Sequence, residues 1–247
     1  MAIIDRKRRE WEMRESLILE HADALFREKG YLGLNLDHLA ERIEYSKATI
    51  YNHFENKEDL VLAVCVSQLE RRAEFFMRSL TFRGRSRERM LAIGVADQII
   101  AELHPHAFAM FQLAESPSIW EKTRPERRGA FGMASARCME APREIVRQAR
   151  SEGDLPASGA SDHHILFGLV SMSKGAHLLG GGPEGHRPMF GQDCPDARDL
   201  LMANYHVFLD GTGWRPFTGE WDYADTERRI LAELFPAEVG LLSSRNT

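Results

Sequence analysis

The sequence predicts an all-α protein with a small N-terminal head of three helices and a larger helical body. Apolar residues recur at helical spacing through most of the 247 residues. Cap residues and glycine stops fall at the ends of these periodic runs. No stretch shows the sustained alternation of β-branched residues that a sheet requires.

The first helix is expected over about Arg9–Lys29, where Ile18, Ala22, Leu25 and Phe26 form one apolar stripe and Gly30 is the stop. Asn35 then caps a short helix through Ile43, with Leu36, Leu39, Ala40 and Ile43 facing inward. The turn Glu44-Tyr45-Ser46 leads to a second short helix, capped by Ser46 and burying Ile50 and Phe54. Asn56 caps the next helix, whose apolar residues Leu60, Val61, Val64 and Phe75 carry it to about Leu80.

The basic stretch Phe82–Arg89 reads as a linker or a kinked connection. Helices follow near Glu88–His104 and His106–Glu115, then a stretch punctuated by Pro117 and Pro125. A long helix from Pro125 to Glu152 should kink or break at Pro142, whose ring removes a donor and clashes with the preceding turn. Gly153 stops it, and another helix fits Asp162–Leu179. Gly180-Gly181-Gly182-Pro183 opens a loop of about 15 residues. Helical patterns resume at Asp196–Asp210 and Asp225–Phe235.

Composition narrows the function classes. The length allows one large domain or two smaller ones. With 32 Lys+Arg against 37 Asp+Glu, the net charge of −5 excludes a uniformly basic nucleic-acid coat but not a local binding face. No apolar run approaches the ~18 residues of a membrane helix, and Met1–Glu15 carries no apolar signal segment. Cys65, Cys138 and Cys194 lie far apart without CxxC spacing, which suggests a reducing compartment. A cytoplasmic protein is expected.

Leu36 to Phe54 has the layout of a helix-turn-helix. Its first helix needs a small inner residue, Ala40, for a close crossing. Its second helix must bury Ile50 and Phe54 while offering Lys47, Ala48, Thr49, Tyr51, Asn52 and His53 to the major groove. Small, hydroxyl and amide side chains suit base edges, and Lys, Tyr and His suit phosphate oxygens. On geometry alone, any short amphipathic helix pair explains the same pattern.

The wording of the segment is more specific. Residues Ser46-Lys47-Ala48-Thr49-Ile50-Tyr51-Asn52-His53-Phe54-Glu55-Asn56-Lys57-Glu58-Asp59-Leu60 closely resemble the signature of the TetR/AcrR (tetracycline-repressor) family of transcriptional regulators. Ala24-Leu25-Phe26, Gly30-Tyr31 and Leu39-Ala40 fit at the family's spacing, so the resemblance covers about residues 10–65. It implies a helix-turn-helix DNA-binding domain over residues 1–60. A helical ligand-binding and dimerisation domain would occupy 61–247. Tyr51 and His53 would then meet the DNA backbone. Lys47, Ala48, Thr49 and Asn52 would face bases or nearby phosphates. Lys57 would anchor the backbone at a helix N-terminus, where free N–H groups also favour a phosphate.

Two positions depart from the pattern. Glu44 stands where the turn usually holds Gly, and a left-handed conformation there costs roughly 1 kcal/mol. Asp37 stands where a basic or small polar residue is common; it favours the helix dipole but repels phosphate. Residues 1–60 carry ten Lys+Arg against thirteen Asp+Glu, with positive charge gathered in Arg6-Lys7-Arg8-Arg9, Lys47 and Lys57. That N-terminal run is either an arm lying along DNA or a disordered, solvated charge run. Few phosphate contacts imply a shallow salt dependence.

For the body, the resemblance implies a homodimer, built by the helices at 162–179 and 196–210, and a small-molecule effector. Aromatic and methionine side chains suit an adaptable, partly apolar pocket, and the candidate ligand contacts are Phe76, His104, Phe108, Phe111, Gln112, Trp120, Phe131, Met172 and His177. Most such residues at helical spacing are plain core. No metal site is expected: His104 with His106 and His163 with His164 do not share a helical face, and no i, i+4 His pair with a carboxylate is present. No GxSxG, HExxH, P-loop or strand-borne GxGxxG points to an enzyme, and no cofactor is implied. The expectation is a one-component regulator, a repressor, that binds a palindromic double-stranded operator, is released by its effector and has no membrane attachment. The alternatives are an activator, or a ligand-binding relative of the same fold that no longer reads DNA.

Overall fold

A computed structural model describes residues 2–181 and 187–245 of the chain. Every regular element among the described residues is helical. The helices are α1 (Ala2–Gly33), α2 (Leu36–Arg42), α3 (Lys47–His53), α4 (Lys57–Ser79), α5 (Ser86–Leu103), α6 (Pro105–Ala114) and α7 (Pro117–Trp120). They continue with α8 (Pro125–Cys138), α9 (Glu140–Glu152), α10 (Asp162–Gly180), α11 (Arg187–Phe190), α12 (Ala197–Gly211), α13 (Tyr223–Leu234) and α14 (Pro236–Arg245). The chain forms two compact units, Met1–Leu69 with Ala109–Ser135, and Glu70–Phe108 with Ala136–Thr247. No described helix is long and apolar enough to cross a membrane.

In the first unit, α1 begins well before Arg9, so the basic run is helical rather than a loose arm. Its exposed side chains pair one turn apart, Arg6 with Glu10 at 3.3 Å and Arg8 with Glu12 at 3.7 Å, a spacing that supports an exposed helix. Gly30 interrupts α1 at φ 65°, a conformation that a side chain would strain. The Asn35 side-chain oxygen accepts from the Asp37 N–H at 2.7 Å, and Ser46 Oγ from the Thr49 N–H at 3.1 Å, so both short helices start on their expected caps. Between them Glu44 takes φ 56°, a left-handed conformation that favours glycine. Ile18, Ala22, Leu25, Leu39, Ala40, Ile50, Phe54, Leu60 and Val61 close the core of this unit.

In the second unit α5 is central: α9, α13 and α14 pack on it, and α10 packs on α12. Residues 82–85 form the expected connection between α4 and α5, but its second half is already the first turn of α5, with Ser86, Arg87 and Glu88 buried. Arg87 is tolerated inside because its guanidinium is satisfied on several sides. It donates to Asp210 Oδ1 at 2.6 Å, to the Trp214 and Pro216 carbonyls at 2.7 and 2.8 Å, and to Thr218 Oγ1 at 3.0 Å.

The expected long helix breaks at Met139, before Pro142. This places the proline in the first turn of α9, where its missing N–H has no intrahelical partner to lose. Gly153, at φ 77°, ends α9 as anticipated. Part of the loop expected after Gly180, residues 182–186, lies outside the described residues; beyond it a short helix, α11, stands where loop was expected. The last helical pattern proves to be α13, followed by α14, which starts on Pro236 and has no counterpart in the expectation.

Candidate nucleic-acid interface

Helix α3 presents a polar outer side. Lys47, Ala48, Tyr51 and Asn52 are exposed and Thr49 is half-exposed, its hydroxyl 2.8 Å from Ser46 Oγ. Ile50 and Phe54 are buried beneath. The side chains are therefore displayed by a rigid, capped helix of two turns rather than by a loop.

His53 does not belong to this outer side. It is 3% exposed, and its ring stacks on Trp11 with centroids 3.7 Å apart, so the expectation that it faces outward with Tyr51 is corrected. The reason is helical period: residue 53 lies three positions after Ile50 and one before Phe54, on the buried stripe. Burial pushes the His53 imidazole below its ordinary range, and the nearby Glu15 carboxylate opposes that only in part. A neutral ring under a tryptophan is a packing element here.

Lys57 opens α4. Its Nζ donates to the Tyr31 carbonyl at 2.7 Å and lies 3.9 Å from the centre of the Tyr31 ring. Tyr31 in turn donates to Glu58 at 3.3 Å. Burial, with Glu58 beside it, raises the Tyr31 hydroxyl above its usual range.

Two exposed cations of this region are paired within the protein. Lys47 Nζ donates to Asp37 Oδ2 at 2.6 Å, and the Tyr51 hydroxyl reaches Asp37 Oδ1 at 3.5 Å. Arg42 forms a two-pronged bond with Glu28 at 2.7 and 2.8 Å.

Residues distant in sequence hold α3 from behind. Arg124 Nη2 donates to the His53 carbonyl at 3.0 Å, satisfying an oxygen at the C-terminal end of α3, and to Asp59 Oδ2 at 2.6 Å; its Nε adds a bond to the same oxygen at 3.1 Å. Asp59 is fully buried. Arg127 lies 3.8 Å from the other Asp59 oxygen, bonds Glu15 at 2.9 Å, and covers the Phe54 ring. Sequence reasoning missed Trp11, Glu15, Arg124 and Arg127, because no local period connects them to α3.

The nine candidate ligand contacts divide between the units. Phe111, Gln112, Trp120 and Phe131 lie in the first, where Trp120 and Phe131 meet edge to face at 5.8 Å and Gln112 is exposed. Phe76, His104, Phe108, Met172 and His177 lie in the second. There Phe108 and His177 have ring centroids 5.0 Å apart, and Arg72 lies 5.4 Å from the Phe76 ring centre. Arg72 pairs with the buried Asp97, which also accepts from Ser173 and faces His177 Nε2 at 3.1 Å. Burial would raise the Asp97 carboxyl, but Arg72, His177 and Ser173 outweigh it and hold the group at about 2. His104 is bonded to Arg71 at 3.1 Å. Among the described residues no group of three His, Cys, Asp or Glu is placed to hold a metal ion.

Comparison with known proteins bears on the same region. The family model of bacterial regulatory proteins, tetR family, matches residues 18–64. The chain is 42% identical over 43 residues to the biofilm operon icaADBC HTH-type negative transcriptional regulator IcaR of Staphylococcus epidermidis, covering 17% of this chain and 23% of that protein. It is 40% identical over 65 residues to the HTH-type transcriptional repressor AcnR of Corynebacterium diphtheriae, covering 26% of this chain and 34% of that one. The chain thus spans about a third or less of the length of these relatives. Across the fold, it superposes on the TetR-family transcriptional regulator PfmR of Thermus thermophilus with a TM-score of 0.57 at 22% identity, covering 78% of this chain and 97% of the other. Residues 18–64 therefore match the N-terminal domain of the tetR family of bacterial regulatory proteins, and the chain as a whole shares the helical fold of PfmR.

Proposed function

We propose that the chain is a cytoplasmic, homodimeric transcriptional repressor that binds a palindromic DNA operator and is released by a small molecule. One observation carries the reading: the capped, buttressed helix α3 exposes Lys47, Ala48, Tyr51 and Asn52 on one side while Ile50, His53 and Phe54 anchor the other. Side chains of these types on a rigid helix fit the edges and phosphates of a major groove. Lys57 joins them as a backbone contact once its ammonium leaves Tyr31. Residues 1–60 are assigned to DNA binding and 61–247 to ligand binding and dimerisation. Repression follows the two relatives matched over this domain, a negative regulator and a repressor.

Dimerisation is supported by apolar side chains left in solvent on the packed pair α10 and α12. Phe167 is 77% exposed, Val207 73% and Leu178 59%. Such a patch on helices is the kind that a second copy covers. The effector site is assigned to the helical body, with Phe76, Phe108, Met172 and His177 as its candidate lining in the second unit. Release requires that the effector bind better to a conformation in which the two reading helices no longer match successive major grooves.

The test is selection of bound sequences from a random duplex pool by the purified protein, followed by salt titration on the enriched sequence. An enriched palindrome whose affinity falls with salt supports the reading. No enrichment at low salt by folded, dimeric protein freed of bound ligand overturns it, and favours a relative of this fold that does not read DNA.

A further inference from the structure

Asp37 sits in the first turn of α2 and meets both outward-facing donors of α3 that suit phosphate. Its Oδ2 accepts from Lys47 Nζ at 2.6 Å, and its Oδ1 faces the Tyr51 hydroxyl at 3.5 Å. The pair is open to solvent: the Lys47 side chain is 59% exposed and that of Asp37 is 37% exposed. As an acid in the first turn of α2, Asp37 also favours the helix dipole, but its carboxylate is not the group that caps the helix. Asn35 caps α2 through the Asp37 backbone N–H, a bond that does not involve the Asp37 carboxylate.

The carboxylate therefore neutralises the ammonium nearest the start of the reading helix and competes with a DNA phosphate for it. A lysine already paired within the protein displaces few counterions from DNA, so its contribution to backbone affinity is muted. We propose that Asp37 restrains the DNA interface, holding Lys47 and Tyr51 in an internal pair and so lowering sequence-independent affinity for the phosphate backbone. The inference rests on α3 being the DNA-facing helix. Its consequence is discrimination: with backbone attraction reduced, a larger share of binding depends on base contacts from α3.

The test uses the full chain and a fluorescent random-sequence duplex of about 30 base pairs, titrated by anisotropy over a range of NaCl. Asp37→Asn preserves size and removes the charge. Each freed lysine that gains a phosphate steepens the log–log salt slope by about 0.9, equivalent to about 8-fold tighter binding at 0.1 M salt relative to 1 M. In a Lys47→Gln background the gain from Asp37→Asn should shrink to less than half. Wild type that binds, with Asp37→Asn no tighter or weaker, overturns the restraint and makes Asp37 an orienting residue. A gain undiminished in Lys47→Gln also overturns it, since Asp37 then acts by plain repulsion of phosphate. If folded wild type and Asp37→Asn both ignore duplex DNA at low salt, the DNA-binding reading itself falls, and the restraint falls with it. Thermal melts of each variant confirm that the comparison is between folded proteins.

Discussion

Replacing Arg124 with alanine removes both bonds to Asp59 Oδ2 and the donor to the His53 carbonyl. Asp59 has no solvent exposure, and its Oδ1 has no hydrogen-bond partner. Arg127, at 3.8 Å, would be the remaining cation. Stripping one partner from a buried ion pair costs about 3–5 kcal/mol when the other charge is left uncompensated. Here the Arg124 side chain is 32% exposed and Arg127 remains, so about 2–3 kcal/mol is expected. For a chain of this size that lowers Tm by roughly 5–10 °C. The assay is thermal unfolding followed by circular dichroism, for Arg124→Ala alone and combined with Asp59→Asn. If the loss arises from an orphaned buried charge, neutralising Asp59 in the Arg124→Ala background recovers at least half of it. A single variant melting within 1 °C of wild type, or a double variant no better than the single, refutes the reasoning.

Three further outcomes are expected. Glu44→Gly relieves a left-handed side chain worth roughly 1 kcal/mol but adds about 0.5–1 kcal/mol of unfolded-state entropy, so the midpoint in urea should stay level or rise by an amount equivalent to about 0.5 kcal/mol at most. The buried Asp97 carboxyl, lowered from 3.8 to about 2, contributes about 2 kcal/mol that is fully present above pH 3.8 and lost as pH falls toward 2. Asp97→Asn should accordingly flatten the acid limb of a stability profile in that window. His53, whose pKa is lowered by burial, is neutral when folded and takes a proton more readily when unfolded. Its share of stability is therefore present above the ordinary 6.5 and declines as pH falls below it, and His53→Gln should reduce that decline.

Much of the head was legible because its signals are local. Asn35 and Ser46 satisfy helix N–H groups within three residues of themselves, and Gly30 stops a helix through its own φ. Ile50 and Phe54 mark the buried side of α3 by spacing alone. The three-residue spacing from Ile50 carried the same signal for His53, but an imidazole is a polar group that suits phosphate oxygens, which placed it on the outer side. The burial of Ser86, Arg87 and Glu88 at the end of the Phe82–Arg89 stretch was hidden for a different reason. A run of four arginines looks solvated until Asp210 and the carbonyls of Trp214 and Pro216, more than 120 residues away, surround Arg87.

The amino-acid sequence by itself determined the helical class, the caps and stops of the short helices, the outer row Lys47, Ala48, Tyr51 and Asn52, and the likeness of the N-terminal domain to the tetR family. These follow from period, backbone conformational preference and hydrogen bonds that close within a turn. Tertiary structure alone decided that Trp11 covers His53, that Arg124 holds the end of α3 through Asp59 and a carbonyl, and that Asp37 captures Lys47. Those pairings depend on where the chain returns in space. Burial then sets their strength, because a charge removed from water must be matched by whatever partner the fold brings beside it.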